Sequence, residues 1–212
     1  PAIDCLTIRN SRKYFIVRNC TFKDIPFANF AGIKLNNVTN ANIIDNQAYN
    51  NTYGIYLYYC DSNTVSGNTA NYNQDAIYIE ESDDNTVSGN TANGNSQFGM
   101  YSYFCFYNNI TGNTLNNNEG SGIYLADCDN NTISGNTVNH NKDAIWIDNS
   151  DYNTLSGNTV SNNTQHGIFL YISHYNLIVE NNINDNVNNG IRSYGDEGGC
   201  DYNNITDNIL YN

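Results

Sequence analysis

The chain repeats itself every 22 or 23 residues, and that period constrains the fold more than any other feature. Copies of a Gly-Ile-Tyr-Leu-like tetrapeptide begin at Gly32, Gly54, Ala76, Gly99, Gly122, Ala144, Gly167 and Gly190. A fainter copy begins at Cys5, 27 residues before Gly32. About nine units therefore account for all 212 residues, with no stretch outside them. A unit this short cannot bury its own apolar face, so the units must stack and share a core.

Each unit reads as strands. In the unit from Gly54 to Asp75, Ile55 and Leu57 alternate with Tyr56 and Tyr58, Val65 stands between Thr64 and Ser66, and Ala70 stands between Thr69 and Asn71. Alternation at period two marks a strand with one buried face. No segment shows apolar spacing near 3.6, and the Leu spacing does not fit a leucine-rich repeat. The pattern predicts one all-β domain over residues 1–212, a parallel β-helix (solenoid) of about nine coils with three short strands each. At roughly 4.8 Å per coil, the rod is about 40 Å long.

Aligning the units gives four apolar columns. They run Ile33 to Ile191, Leu35 to Ser193, Ile43 to Ile205 and Ala48 to Leu210. Three Asn columns are as regular: Asn63 to Asn203, Asn19 and Asn46 to Asn208, and Asn51 to Asn186. Asn tolerates the left-handed backbone of a sharp corner. Its amide also donates to an Asn one coil away, so these columns are expected to form ladders.

The recurring Asn-Thr-Val-Ser-Gly-Asn-Thr at 63–69 and 85–91, with variants at 131–137 and 153–159, resembles the right-handed parallel β-helix repeats of the NosD-like family, related to the carbohydrate-binding and sugar-hydrolase type of β-helix. Right-handedness is implied by this resemblance. The shared residues are those of corners and core, so the resemblance speaks to fold more than to function.

Composition bounds the partners. Lys plus Arg is 8 against 21 Asp plus Glu, a net charge of −13. Such a surface repels nucleic acid and anionic membranes and suits a cationic partner or divalent ions. No apolar run is long enough to span a membrane. The chain opens at Pro1 rather than Met and stops within a repeat, which points to a processed protein or a fragment of a longer surface protein. Secreted or cell-surface placement is the expectation. Sequons at Asn19, Asn37, Asn50, Asn109, Asn130, Asn162 and Asn204 agree with an extracellular glycoprotein. Of the six Cys, Cys60, Cys105, Cys128 and Cys200 share a column with Val38, Ser82, Ser150 and Ser173 and read as small core residues. Cys105 and Cys128 alone lie in adjacent coils, within Cα reach of a disulfide. Cys20 aligns with the outward Thr69 column and is free to cross-link another chain.

Function is sought on an outward aromatic ribbon: Tyr56, Tyr78, Tyr101, Tyr124, Trp146 and Phe169. Beside it run Tyr58, Glu80, Tyr103, Ala126, Asp148, Tyr171 and Tyr194, and Lys34 and Arg192 close its ends. Three readings stand together. The rings form a stabilising ladder. They are an interface for another chain. Or they form a glycan groove, with sugar C–H faces on aromatic faces and hydroxyls on Glu80 and Asp148.

No catalytic constellation emerges. Asp127 and Asp148, one coil apart, are the only carboxylate pair close enough for glycoside chemistry. Asp61, Asp83 and Asp84 are candidate Ca²⁺ ligands, against the plainer role of capping their own turns. His140, His166 and His174 lie on different corners and Met100 is in a core column, so no soft-metal cluster forms and the copper role of the NosD family does not transfer. Two insertions interrupt the repeat, residues 23–31 and 194–199, and are read as partial caps. The leading expectation is a structural module that self-associates or packs on other surface proteins. The alternative is a carbohydrate-binding β-helix, with weak hydrolase or lyase activity left open.

Overall fold

A computed structural model describes residues 4–25, 29–195 and 199–211. The described residues contain 25 strands and no helix, and every strand pairing is parallel. Two nine-stranded sheets run the length of the rod, and shorter sheets of three and four strands complete the third side. A typical coil places Tyr53–Tyr58 in the first sheet, Thr64–Ser66 in the second and Thr69–Asn71 in the third. In the two central coils the third side narrows to single bridges, Thr69 to Thr91 to Thr114 to Thr137. Parts of both insertions, residues 26–28 and 196–198, lie outside the described residues, as does Asn212.

Register follows the repeat. Ile55 aligns with Ile77, Ile77 with Met100, and Met100 with Ile123. All four apolar columns point inward and are buried through the middle coils. The last coil is the exception: Ile205 and Leu210 are 46% and 49% exposed, because no coil covers them.

The Asn columns are ladders, with one correction to their geometry. The left-handed residue is not the ladder Asn but the residue before it: Gly67 precedes Asn68, Tyr72 precedes Asn73 and Asp84 precedes Asn85. The left-handed residue turns the chain and points outward, so the next side chain swings into the core. Asn68 then accepts the Asn46 amide at 2.9 Å, donates to the Ile43 carbonyl at 2.8 Å and donates to the Asn90 side chain at 3.0 Å. Backbone groups that strand pairing leaves free at the corner are thereby satisfied.

The same frame moves Cys20 and Asn19. Thr21 pairs with Gln47, and Gln47 with Thr69, so Thr21 holds the outward position expected for Cys20. Cys20 occupies the ladder position itself, its amide donating to Asn46. Asn19 is the left-handed residue ahead of it, not a ladder member. Cys20 is exposed, as expected, while Cys60, Cys105 and Cys128 are buried. Cys105 and Cys128 are free thiols, not a disulfide, and the Cys105 amide donates to the Cys128 sulfur at 3.2 Å.

Candidate functional site

The first sheet carries the ribbon on its outer face. Its register aligns Lys34, Tyr56, Tyr78, Tyr101, Tyr124, Trp146, Phe169 and Arg192 in one row. Neighbouring rings stack at centroid distances of 4.8, 5.0, 5.1, 4.6 and 5.6 Å from Tyr56 to Phe169. The three Tyr–Tyr stacks are within 9° of parallel. Parallel strands in register set this geometry, because their spacing matches a stacking distance.

That stacking changes what the ribbon offers. Each interior ring gives its faces to its neighbours, so edges and hydroxyls meet solvent. Tyr56 is only 8% exposed, and the other five rings are half-buried. Interior rings therefore do not present open faces to sugars, as the sequence suggested. Half-buried rings with less shared faces stand in the second row instead. Tyr58 tilts at 42° to Tyr59, and Tyr103 at 59° to Phe104.

Carboxylates bind the two rows together. The Tyr56 hydroxyl donates to Glu80, and the Tyr124 hydroxyl donates to Asp148 at 2.8 Å. Burial first, then Glu80, pushes the Tyr56 phenol far above its ordinary range. Burial also raises Asp148, aided by the charge of Asp127 and opposed by the Tyr124 hydrogen bond. Asp127 and Asp148 are thus electrostatic neighbours, linked by a backbone hydrogen bond of 3.1 Å. Both carboxylates are engaged, Asp148 by Tyr124 and Asp127 by the Asn149 amide.

A third row flanks the ribbon, and the sequence pattern did not reveal it: Tyr53, Asp75, Phe98, Ser121, Asp143 and His166. Asp75 and Asp143 are buried, and each accepts the backbone amide of the next coil, from Phe98 and His166, both at 3.0 Å. Burial pushes the Asp75 carboxyl up to about 6 and raises Asp143 as well. Tyr53 and Phe98 pack edgewise on the ribbon, each 5.1–5.3 Å from two of its rings. The row mixes rings, acids and a serine, so no consensus betrayed it.

Cations close the ribbon where expected. The Lys34 ammonium lies 4.5 Å from the Tyr56 centroid, and the Arg192 guanidinium lies 5.3 Å from Phe169 and 5.2 Å from Tyr194. An Arg192 nitrogen is 3.2 Å from His166 Nε2, and burial lowers the His166 pKa. As the acceptor in this contact, His166 is neutral and carries its proton on Nδ1, which has no hydrogen-bond partner among the described residues.

The acidic column at the first corner caps backbone amides. Asp61 Oδ1 accepts the Asp83 amide at 2.9 Å, and Asp83 Oδ1 accepts the Phe106 amide at 2.8 Å. Each Asp thus caps the following coil, not its own turn. Asp84 sits at a left-handed position and turns away. Among the described residues no three His, Cys, Asp or Glu side chains converge on a metal position. The copper fit fails on the same grounds. His140, His166 and His174 stand on separate sides, and Met100, Cys105 and Cys128 are sealed in the core.

A second aromatic column was missed. Tyr152, Tyr175 and Tyr202 stack at 4.9 Å within 5° of parallel, and they are 55%, 46% and 75% exposed. All three occupy left-handed corner positions. Such positions read as turn residues in the sequence, which hid them.

Comparison with known proteins accords with these coils. No curated protein sequence matches the chain. Among solved structures, the A-module of the mannuronan C-5 epimerase AlgE4 of Azotobacter vinelandii superposes with TM-score 0.76 at 14% identity, covering 91% of this chain and 58% of that one. The periplasmic alginate epimerase AlgG gives 0.74 at 19% identity, covering 86% and 47%. The enzymatically active domain of tailspike protein 2 of bacteriophage CBA120 gives 0.75 at 14%, covering 90% and 34%. The chain thus spans from about a third to under two thirds of these structures, and at such identities the likeness is one of fold. The family model described as periplasmic copper-binding protein (NosD) matches residues 5–148, and that of the right-handed β-helix region matches residues 104–212. Each covers more than half of the sequence, and the chain belongs to the NosD family of right-handed parallel β-helix proteins.

Proposed function

We propose that the outer face of the first sheet holds an extended polysaccharide lengthwise along the rod. The observation that carries this is the register: each coil from Tyr56 to Phe169 places one outward aromatic in the first row and one residue in the second, with Glu80 and Asp148 among the second-row residues. A coil advances by roughly 4.8 Å, a distance comparable to one pyranose unit. A sugar chain on this face therefore meets one outward aromatic at every unit, with a second-row residue that varies from coil to coil. Glu80 and Asp148 supply polar contacts, and the ring edges with Tyr58 and Tyr103, two coils apart with Glu80 between them, supply apolar surface. Fold neighbours named as alginate epimerases and a phage tailspike support a carbohydrate ligand. The family's periplasmic description supports a place outside the cytoplasm.

Trp146 is the only Trp and lies within the ribbon, so its fluorescence reports occupancy. Titration with neutral and uronate-containing oligosaccharides is expected to shift its emission for at least one class. Tyr103→Ala is expected to weaken that binding about tenfold, the value of one ring contact. A flat response across the whole set removes the reading.

The exposed Tyr152, Tyr175 and Tyr202 stack favours a second reading, in which rods pack laterally as a structural module. It places the interface on this corner rather than on the half-buried ribbon. Concentration-dependent sedimentation that Tyr175→Ser abolishes would support it, and a monomer at all concentrations would remove it.

A further inference from the structure

The first corner holds an open cleft of about 500 Å³ lined by Tyr59, Glu81, Asp83, Phe104 and Phe106. Tyr59, Glu81 and Phe104 occupy the same corner position in three successive coils, each with a left-handed backbone that points the side chain outward. The middle coil lacks a ring there. Tyr59 and Phe104 therefore stand two coils apart, roughly 10 Å by strand spacing, with the Glu81 carboxylate between them. They are 47% and 43% exposed, each partly covered by the Tyr before it in sequence and otherwise open. Phe106 replaces the Asp of its column and adds a third ring, and Asp83 lies beside it.

The charge is one-sided. No ion pair engages Glu81 or Asp83 among the described residues, where the salt bridges are Arg18 with Asp45 and Lys23 with Asp24. Asp61 and Asp84 are near enough to add their field at Asp83. One Asp83 oxygen is committed to the Phe106 amide. Among the described residues no third carboxylate converges with these two on a position for a hard divalent cation. Aromatic walls with carboxylates instead suit a soft, weakly hydrated cation, which gains from ring faces as well as from charge.

We propose that this cleft is a binding site for a compact organic ammonium group, seated between Tyr59 and Phe104 with Glu81 and Asp83 balancing its charge. The site adjoins the second row, where Tyr58 packs on Tyr59 and Tyr103 on Phe104, but its charge requirement does not depend on the polysaccharide reading. The same chemistry is found in a quaternary headgroup and in a de-N-acetylated amino sugar, and the test separates them.

The full chain is titrated with choline, with its uncharged carbon isostere 3,3-dimethylbutan-1-ol, and with glucosamine and N-acetylglucosamine trimers. Ring proton shifts of Tyr59, Phe104 and Phe106 are followed by NMR. One of the cations is expected to bind at least tenfold more tightly than its uncharged counterpart. Choline binding identifies the headgroup as the source, and glucosamine-trimer binding identifies the amino sugar. Phe104→Ala and the double variant Glu81→Gln/Asp83→Asn are each expected to weaken that binding about tenfold or more, with the circular dichroism spectrum unchanged. Equal affinity for charged and uncharged probes overturns the proposal. So does binding that survives both variants, or no shift with any probe.

Discussion

Replacing Asn136 with Ala removes an acceptor and a donor at one point inside the rod. Asn136 accepts the Asn113 amide at 2.9 Å and donates to the Ile110 carbonyl at 2.9 Å and the Asn158 side chain at 3.0 Å. Orphaning two buried backbone groups costs roughly 1–3 kcal/mol each. Asn136→Ala is expected to lose about 3 kcal/mol or more in denaturant unfolding, whereas Ala at the exposed Thr132 changes little. Asp75 behaves differently, because it is buried without a cation. Its folded pKa, about 6, lies above the ordinary 3.8. The folded state therefore holds its proton more tightly than the unfolded one, and stability falls as pH rises from about 4 through 6. Asp75→Asn keeps the acceptor for the Phe98 amide and removes the ionisation. It is expected to match the parent near pH 4 and exceed it above pH 6 by about 2 kcal/mol. Thermal unfolding across that range tests this, and parallel curves would refute it. The two residues also mark what the sequence disclosed. Asn136 belongs to a column that recurs in every coil from Asn46 to Asn208, which announced its role. Asp75 shares its row with Tyr53, Phe98, Ser121 and His166, so burial became visible only with the backbone in place.

At the scale of a strand, close approach between coils decides what fits. A Cβ added to Gly122 would stand 2.1 Å from Val138 Cγ1 and 2.9 Å from the Ala144 carbonyl. Gly122→Ala is expected to lower stability by about 1–3 kcal/mol through overpacking, measured as a shift in the denaturation midpoint. Strand placement was legible in the sequence because inward Ile, Leu and Val recur with the same period as the Gly. Ring orientation was not, since it depends on how neighbours at one strand spacing share their faces. The six ribbon residues were correctly aligned, yet their surfaces turned out to be largely spent on one another. Tyr59 and Phe104 were overlooked because they occupy corner positions where chemistry varies from coil to coil.

Across the whole molecule, each coil touches only its neighbours, and protection should follow position. The final strands, Ile191–Tyr194, Asn204–Thr206 and Ile209–Tyr211, have a partner on one side only. Their amides are expected to exchange with deuterium sooner than those of Ile123–Ala126 and Thr132–Ser134, because opening an end coil exposes the least buried surface. Uniform exchange along the rod would show instead that all coils open as one unit.

The in-register coils also make the protein a wound spool. The hydrogen bonds between coils run along the rod axis, while the chain itself winds around it. Tension applied at the two ends of the chain therefore peels one turn at a time rather than shearing every sheet at once. Each released turn of 22 or 23 residues pays out roughly 75–80 Å of slack. Single-molecule pulling is expected to record a staircase of near-equal steps, and one abrupt rupture would count against it. A rod of this kind yields gradually under load and can rewind when the load is withdrawn.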